Sequence, residues 1–97
     1  MLRRSQVAYL RAQAHGRKPI VRLGQRGLTD AVVLELERAL DDHELVKIRL
    51  AAADRDTRRS LVADLCERTG AEAVQQLGAT ATLFRRNSEQ PRLTLPD

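Results

Sequence analysis

Residues 20–50 read IVRLGQRGLTDAVVLELERALDDHELVKIRL, and their periodicities decide the fold. Ile20 to Leu23 is a short apolar run led by Pro19, which suits the first position of a strand. Gly24 and Gly27 bracket Gln25 and Arg26, and the chain then changes period. Thr29 is a good helix N-cap, and Leu28 before it is placed to pack on Val33 as a hydrophobic staple. Val32, Val33, Leu36, Ala39 and Leu40 recur at helical spacing, which predicts a helix to about Asp42. From Leu45 to Leu50 the pattern alternates, with Val46, Ile48 and Leu50 on one face and Lys47 and Arg49 on the other. Strand, loop, helix and strand therefore follow within one stretch.

The same patterns extend outward. Residues 2–14 predict a first helix, ended at Gly16 and the GRKP stretch, with His15 in its last turn. Beyond Leu50, DRDT places Asp54 or Asp56 at the start of a third helix with Leu61, Val62, Leu65 and Cys66 as its core stripe, closed by Gly70. Residues 73–77 and 80–85 predict two strands joined by a hairpin at Gly78–Ala79. Residues 87–97, with Pro91 and Pro96, predict a loose tail after a domain spanning residues 1–86. The expected fold is a single compact two-layer α/β domain, order α-β-α-β-α-β-β, with a mixed four-stranded sheet and right-handed crossovers.

Ninety-seven residues suffice for one domain with a small core, which must come from aliphatic side chains because the chain has one Phe, one Tyr and no Trp. The lone Cys66 excludes an internal disulfide and reads as core filler. No apolar run approaches membrane-spanning length, and the N-terminus lacks a signal-peptide pattern, so a cytoplasmic location is expected. His15 and His43 lack partners at ligand spacing, so neither a metal nor another cofactor is expected. Net charge is +4, and its distribution is uneven. Residues 1–29 hold seven basic residues and no acid, whereas residues 30–44 hold six acids and one base. A basic block that contains the glycine loop is the expected footprint of a polyanion.

The loop has the parts of a phosphate seat. Glycine admits a ligand without meeting a Cβ, a helix N-terminus offers N–H groups and the positive end of a dipole, and Arg26 adds a charged fork. No Walker string follows, and Gly24 lacks the third glycine of a dinucleotide fingerprint, which argues against a small-molecule substrate. A GxxG loop between a strand and a capped helix instead resembles the backbone clamp of KH-type RNA modules. Two aromatics are too few for a base-stacking platform, so recognition should lean on backbone and shape. The acids Glu35, Glu37, Asp41 and Asp42 have no Ser, Cys or His partner and read as a solvated helix flank, not as acid–base catalysts.

Several stretches together resemble the CRM (chloroplast RNA splicing and ribosome maturation) domain, particularly its free-standing bacterial YhbY-type members. They are Lys18-Pro19, Leu23-Gly24 through Gly27-Leu28-Thr29, the HELVKIRL strand from His43, Arg68-Thr69-Gly70, Gln76-Leu77-Gly78 and Leu95-Pro96. The resemblance implies a fold similar to the C-terminal domain of bacterial translation initiation factor three. It also implies a non-enzymatic RNA-binding role on precursors of the large ribosomal subunit, with Gly24 and Gly27 as the family's loop glycines. The expected RNA-binding residues are Gly24, Gln25, Arg26 and Gly27, with Arg17, Lys18 and Arg22 flanking them. Arg3, Arg4 and Arg11 are expected as secondary contacts, and Lys47 and Arg49 join them if their face lies near the loop. Arg55, Arg58 and Arg59 sit at a helix start where cations oppose the dipole; they either meet an anion or are neutralised by Asp54 and Asp56. Expected partners are rRNA and, secondarily, ribosomal proteins. The alternative is a protein-interaction module that docks on a ribosomal protein or assembly factor through the acidic second helix.

Overall fold

The computed structural model describes every residue except Met1, Gln25, Ala52 and Ala53. Seven elements follow in the expected order: α1 (Arg4–Ala14), β1 (Val21–Leu23), α2 (Asp30–His43), β2 (Leu45–Leu50), α3 (Arg55–Thr69), β3 (Glu72–Leu77) and β4 (Thr80–Phe84). The sheet is mixed, in the order β1-β2-β4-β3. β1 and β2 are parallel, as a strand–helix–strand unit requires, and β4 lies antiparallel between β2 and β3. β4 therefore separates the two strands that α3 connects.

Alternation along β2 assigns the faces. Val46, Ile48 and Leu50 join Val21, Leu23, Ala81 and Leu83 in a core closed by Leu36, Ala39 and Leu40 of α2 and Val62 and Leu65 of α3. These form the two expected layers. Leu45 points to the other face, where it meets Phe84, Val74 and Leu10 and Ala14 of α1. A bulge between Ala73 and Gln75 accompanies the placement of Val74 in that second cluster. α1 thus adds a partial third layer over one end of the sheet and leaves Arg22, Arg49 and Leu77 exposed at the other.

The helix ends are set by local chemistry. Thr29 caps α2 by accepting from the Val32 N–H, and Asp54 caps α3 by accepting from the N–H of Thr57. Gly70 ends α3 with φ +74°, the left-handed cap expected of it. Gly16 does not do the same for α1: the helix ends at His15 in right-handed geometry, and Gly16 has no positive φ. α2 ends on Glu44, a non-glycine residue at φ +61°.

Residues 87–97, expected to be loose, carry no helix or strand but are tied down. The carboxylate of the fully buried Glu44 accepts from the backbone N–H of Asn87 at 2.6 Å, Arg92 at 2.6 Å and Leu93 at 2.9 Å. Leu93 and Leu95 pack on the α1 cluster, and Gln6 donates to the Pro96 carbonyl at 3.1 Å. Burial alone would raise the Glu44 pKa, but three N–H donors and the nearby Arg86 outweigh it and hold the carboxyl below its ordinary range.

Candidate nucleic-acid interface

Because β1 and β2 run parallel, their carboxyl ends share one end of the sheet with the Gly24–Gly27 loop, the start of α3 and the β3–β4 hairpin. Arg22 and Arg49 are register partners across β1 and β2, and both side chains are exposed. Like charges placed directly opposite destabilise a sheet unless an anion shields them. Among the described residues, no ion pair involves Arg22, Arg26 or Arg49. Lys47 lies two residues before Arg49 on the same face and accepts from the Ile20 N–H through its carbonyl. The strand pair therefore carries a basic stripe that leads to the exposed Gly24 and Arg26. Register places Arg49 beside Arg22, next to the loop, whereas Lys47 on the same face lies at the start of β1.

The loop glycines are unlike each other. A Cβ on Gly24 would meet open space, whereas Gly27 sits at φ +70° with the Cδ2 of Leu61 at 3.7 Å from its would-be Cβ. Apart from its two chain neighbours, no described residue comes within 4 Å of where a Cβ on Gly24 would stand. The main-chain part of the expected seat needs correction. The Gly27 N–H already donates to the Gly24 carbonyl at 3.0 Å, and the Val32 N–H is taken by the Thr29 hydroxyl at 3.2 Å. What the loop offers is an exposed glycine with the exposed Arg22 and Arg26 close by in sequence and Arg49 beside Arg22 in register. Gln25 lies outside the described residues.

The other candidates divide. Arg17 and Lys18 line a cleft of about 360 Å³ at the amino end of β1, together with Ile20, His43, Leu45, Val46 and Lys47. Arg17 donates to the Leu45 carbonyl at 3.0 Å, so its guanidinium is partly committed to holding the chain before β1. Arg11 is committed likewise, to the Val74 carbonyl at 3.1 Å. Arg3 and Arg4 start α1, where the Leu2 N–H reaches Glu72 at the end of β3 opposite the hairpin. The structure thus does not bring Arg3, Arg4 or Arg11 to the loop.

Arg55, Arg58 and Arg59 do reach the loop end, lining a cleft of about 290 Å³ with Gln76, Leu77 and Gly78 of the hairpin. Their signal in the sequence was the electrostatic misfit of three cations at a helix start. The acidic flank of α2 is partly consumed: Arg85 pairs with Glu37 and Asp41, each at 2.8 Å, and donates to the Thr69 carbonyl at 2.7 Å. Burial favours the neutral Arg85 guanidine, but Glu37 and Asp41 outweigh that effect and raise its pKa. Burial pushes the Cys66 thiol up, as does the Glu72 carboxylate, which keeps it protonated and suits a filler role. No helix of the described residues is long and apolar enough to cross a membrane.

The model of the CRS1 / YhbY (CRM) domain family matches residues 2–85, nearly the whole chain. This chain belongs to the CRM family. Among its relatives, a Pseudomonas aeruginosa protein named "Probable RNA-binding protein" is 42% identical over 89% of this chain and 83% of its own length. A Haemophilus influenzae protein named "RNA-binding protein" is 40% identical over 94% of this chain and 91% of its own. The fold recurs in the solution structure of a hypothetical Staphylococcus aureus protein at 30% identity, with a TM-score of 0.86 over 99% of this chain and 100% of that one. The CRM domain is thus carried on the α/β fold described above, and an RNA-binding role fits it.

Proposed function

We infer that the protein is a non-enzymatic RNA-binding module whose contact surface is the loop end of the sheet. The observation that carries this reading is the side-by-side exposure of Arg22 and Arg49, with no acid paired to either among the described residues, at the strand ends that feed the Gly24 loop. Two opposed guanidinium groups are matched by a phosphodiester backbone, which supplies closely spaced anions. Arg26 extends the contact on the loop, Lys47 extends it along β2, and Lys18 extends it toward the cleft at the start of β1. Gly24 lets the backbone approach where any side chain would stand in the way. The relatives named as RNA-binding proteins support the choice of RNA as the polyanion.

The RNA we assign is that of the large-subunit precursor, by the family resemblance of the sequence, and the step served is ribosome maturation in the cytoplasm. Docking through acidic α2 has less support, since Arg85 pairs with Glu37 and Asp41 and leaves Glu35 and Asp42 as the acids of that set outside the pairing. Filter binding with a transcript of large-subunit rRNA tests the reading. With three to six phosphate contacts, log affinity should fall against log salt with a slope of roughly −2 to −5. Salt-independent binding, or co-sedimentation with ribosomal particles that survives nuclease treatment, would favour a protein partner instead.

A further inference from the structure

We propose that the cleft between the start of α3 and the β3–β4 hairpin is a second phosphate-binding site, engaged by the same RNA that the loop binds. The inference rests on the RNA-binding reading and extends its footprint to the far edge of the sheet. Arg55, Arg58 and Arg59 line the cleft from α3, and Gln76, Leu77 and Gly78 line it from the hairpin.

Among the described residues, no ion pair involves Arg55 or Arg59. They stand in the first turns of α3, where the helix dipole disfavours positive charge. Two acids flank them in sequence: Asp54 accepts through its two carboxylate oxygens from the N–H and the hydroxyl of Thr57, each at 2.8 Å, and Asp56, among the described residues, forms no ion pair with Arg55 or Arg59. Arg55 and Arg59 are exposed and Arg58 is half-buried, so the cluster faces outward from a fixed base. The opposite wall suits an oxyanion. The Gln76 amide is a donor, and Gly78, at φ +55° with open space where a Cβ would stand, keeps the hairpin tip low.

α3 connects this cleft to the loop. Leu61 touches the Gly27 position, and Arg55 lies six residues earlier, about 9 Å along the helix axis. The two basic groups thus flank one end of the molecule, Arg22 and Arg49 on the open face of the sheet and the α3 arginines on the other. A structured RNA resting on that end meets both, and a short single strand meets one. Two separated phosphate contacts on a rigid body select for RNA shape, which suits a domain with almost no aromatic side chains to stack bases.

The test compares wild type, Arg55→Gln/Arg59→Gln and Arg55→Lys/Arg59→Lys for binding to a defined stem-loop transcribed from large-subunit rRNA, across a salt series, with thermal melting as the fold control. The glutamine pair should melt like wild type, bind the stem-loop at least about tenfold more weakly at low salt, and show a salt slope shallower by about two. The lysine pair should retain the wild-type slope. If wild type binds and the glutamine pair matches it in affinity and slope, the second site is wrong and the loop reading stands. If wild type fails to bind, both fall together. Should the glutamine pair melt early, the lysine pair decides: a folded lysine pair that has lost the wild-type slope overturns the proposal, and one that keeps it supports the role of charge.

Discussion

Gly24 and Gly27 are equivalent letters in the sequence and unequal residues in the fold. Gly27 needs a left-handed backbone, and Gly24 does not. Gly24→Asp should therefore fold normally and lose RNA affinity, because it places a carboxylate on open surface beside the arginines. Gly27→Asp should also cost about 1–2 kcal/mol of stability from the positive φ, a fall in Tm of about 5–10 °C. Comparative melting separates the two. Glu44 was equally illegible, since its letter sits among five other acids between residues 30 and 44 and nothing local marks it as buried. Its role depends on residues more than forty positions away, which no periodicity reports. Glu44→Ala should cost about 3 kcal/mol by orphaning the tail's N–H groups, and melting should show it as a fall of more than about 10 °C. The folded carboxyl is held below the ordinary glutamate range near pH 4.3, so its contribution is complete above that pH and is lost as pH falls through the lowered value. Glu44→Gln should flatten that part of the acid denaturation curve.

At the scale of elements, periodicity found all seven, because each helix carries an apolar stripe and β2 alternates without interruption. Strand order was not legible: the insertion of β4 between β2 and β3 is a matter of long-range pairing that local pattern does not encode. The tail misled through its composition. Its prolines and polar residues read as loose, while Leu93 and Leu95 supply anchors too sparse to register as a pattern. Arg85, just after β4, ties three segments by reaching Glu37 and Asp41 on α2 and the last carbonyl of α3. Arg85→Ala should cost about 1.5–3 kcal/mol, measured by urea unfolding, without changing RNA affinity. An affinity loss in a folded Arg85→Ala protein would show that α2 or its surroundings take part in binding.

For the molecule as a whole, the uneven charge of the sequence becomes an uneven surface only partly as the chain order suggested. Register gathers Arg22 and Arg49 beside the loop, although Arg49 lies more than twenty residues beyond it. It leaves Arg3, Arg4 and Arg11 at the other end, although they belong to the same basic block. Arginines near in sequence were separated and distant ones joined, because a parallel strand pair brings together residues from either side of a helix. The central claim is that RNA backbone rests on the loop end of the sheet, against Gly24 and its neighbouring arginines. The most direct measurement is the affinity of Gly24→Asp for a large-subunit rRNA transcript, at fixed salt, with its melting curve beside it. The account predicts an unchanged Tm and a loss of affinity of tenfold or more, about 1.4 kcal/mol. A variant that melts like wild type and binds the transcript equally well would contradict it.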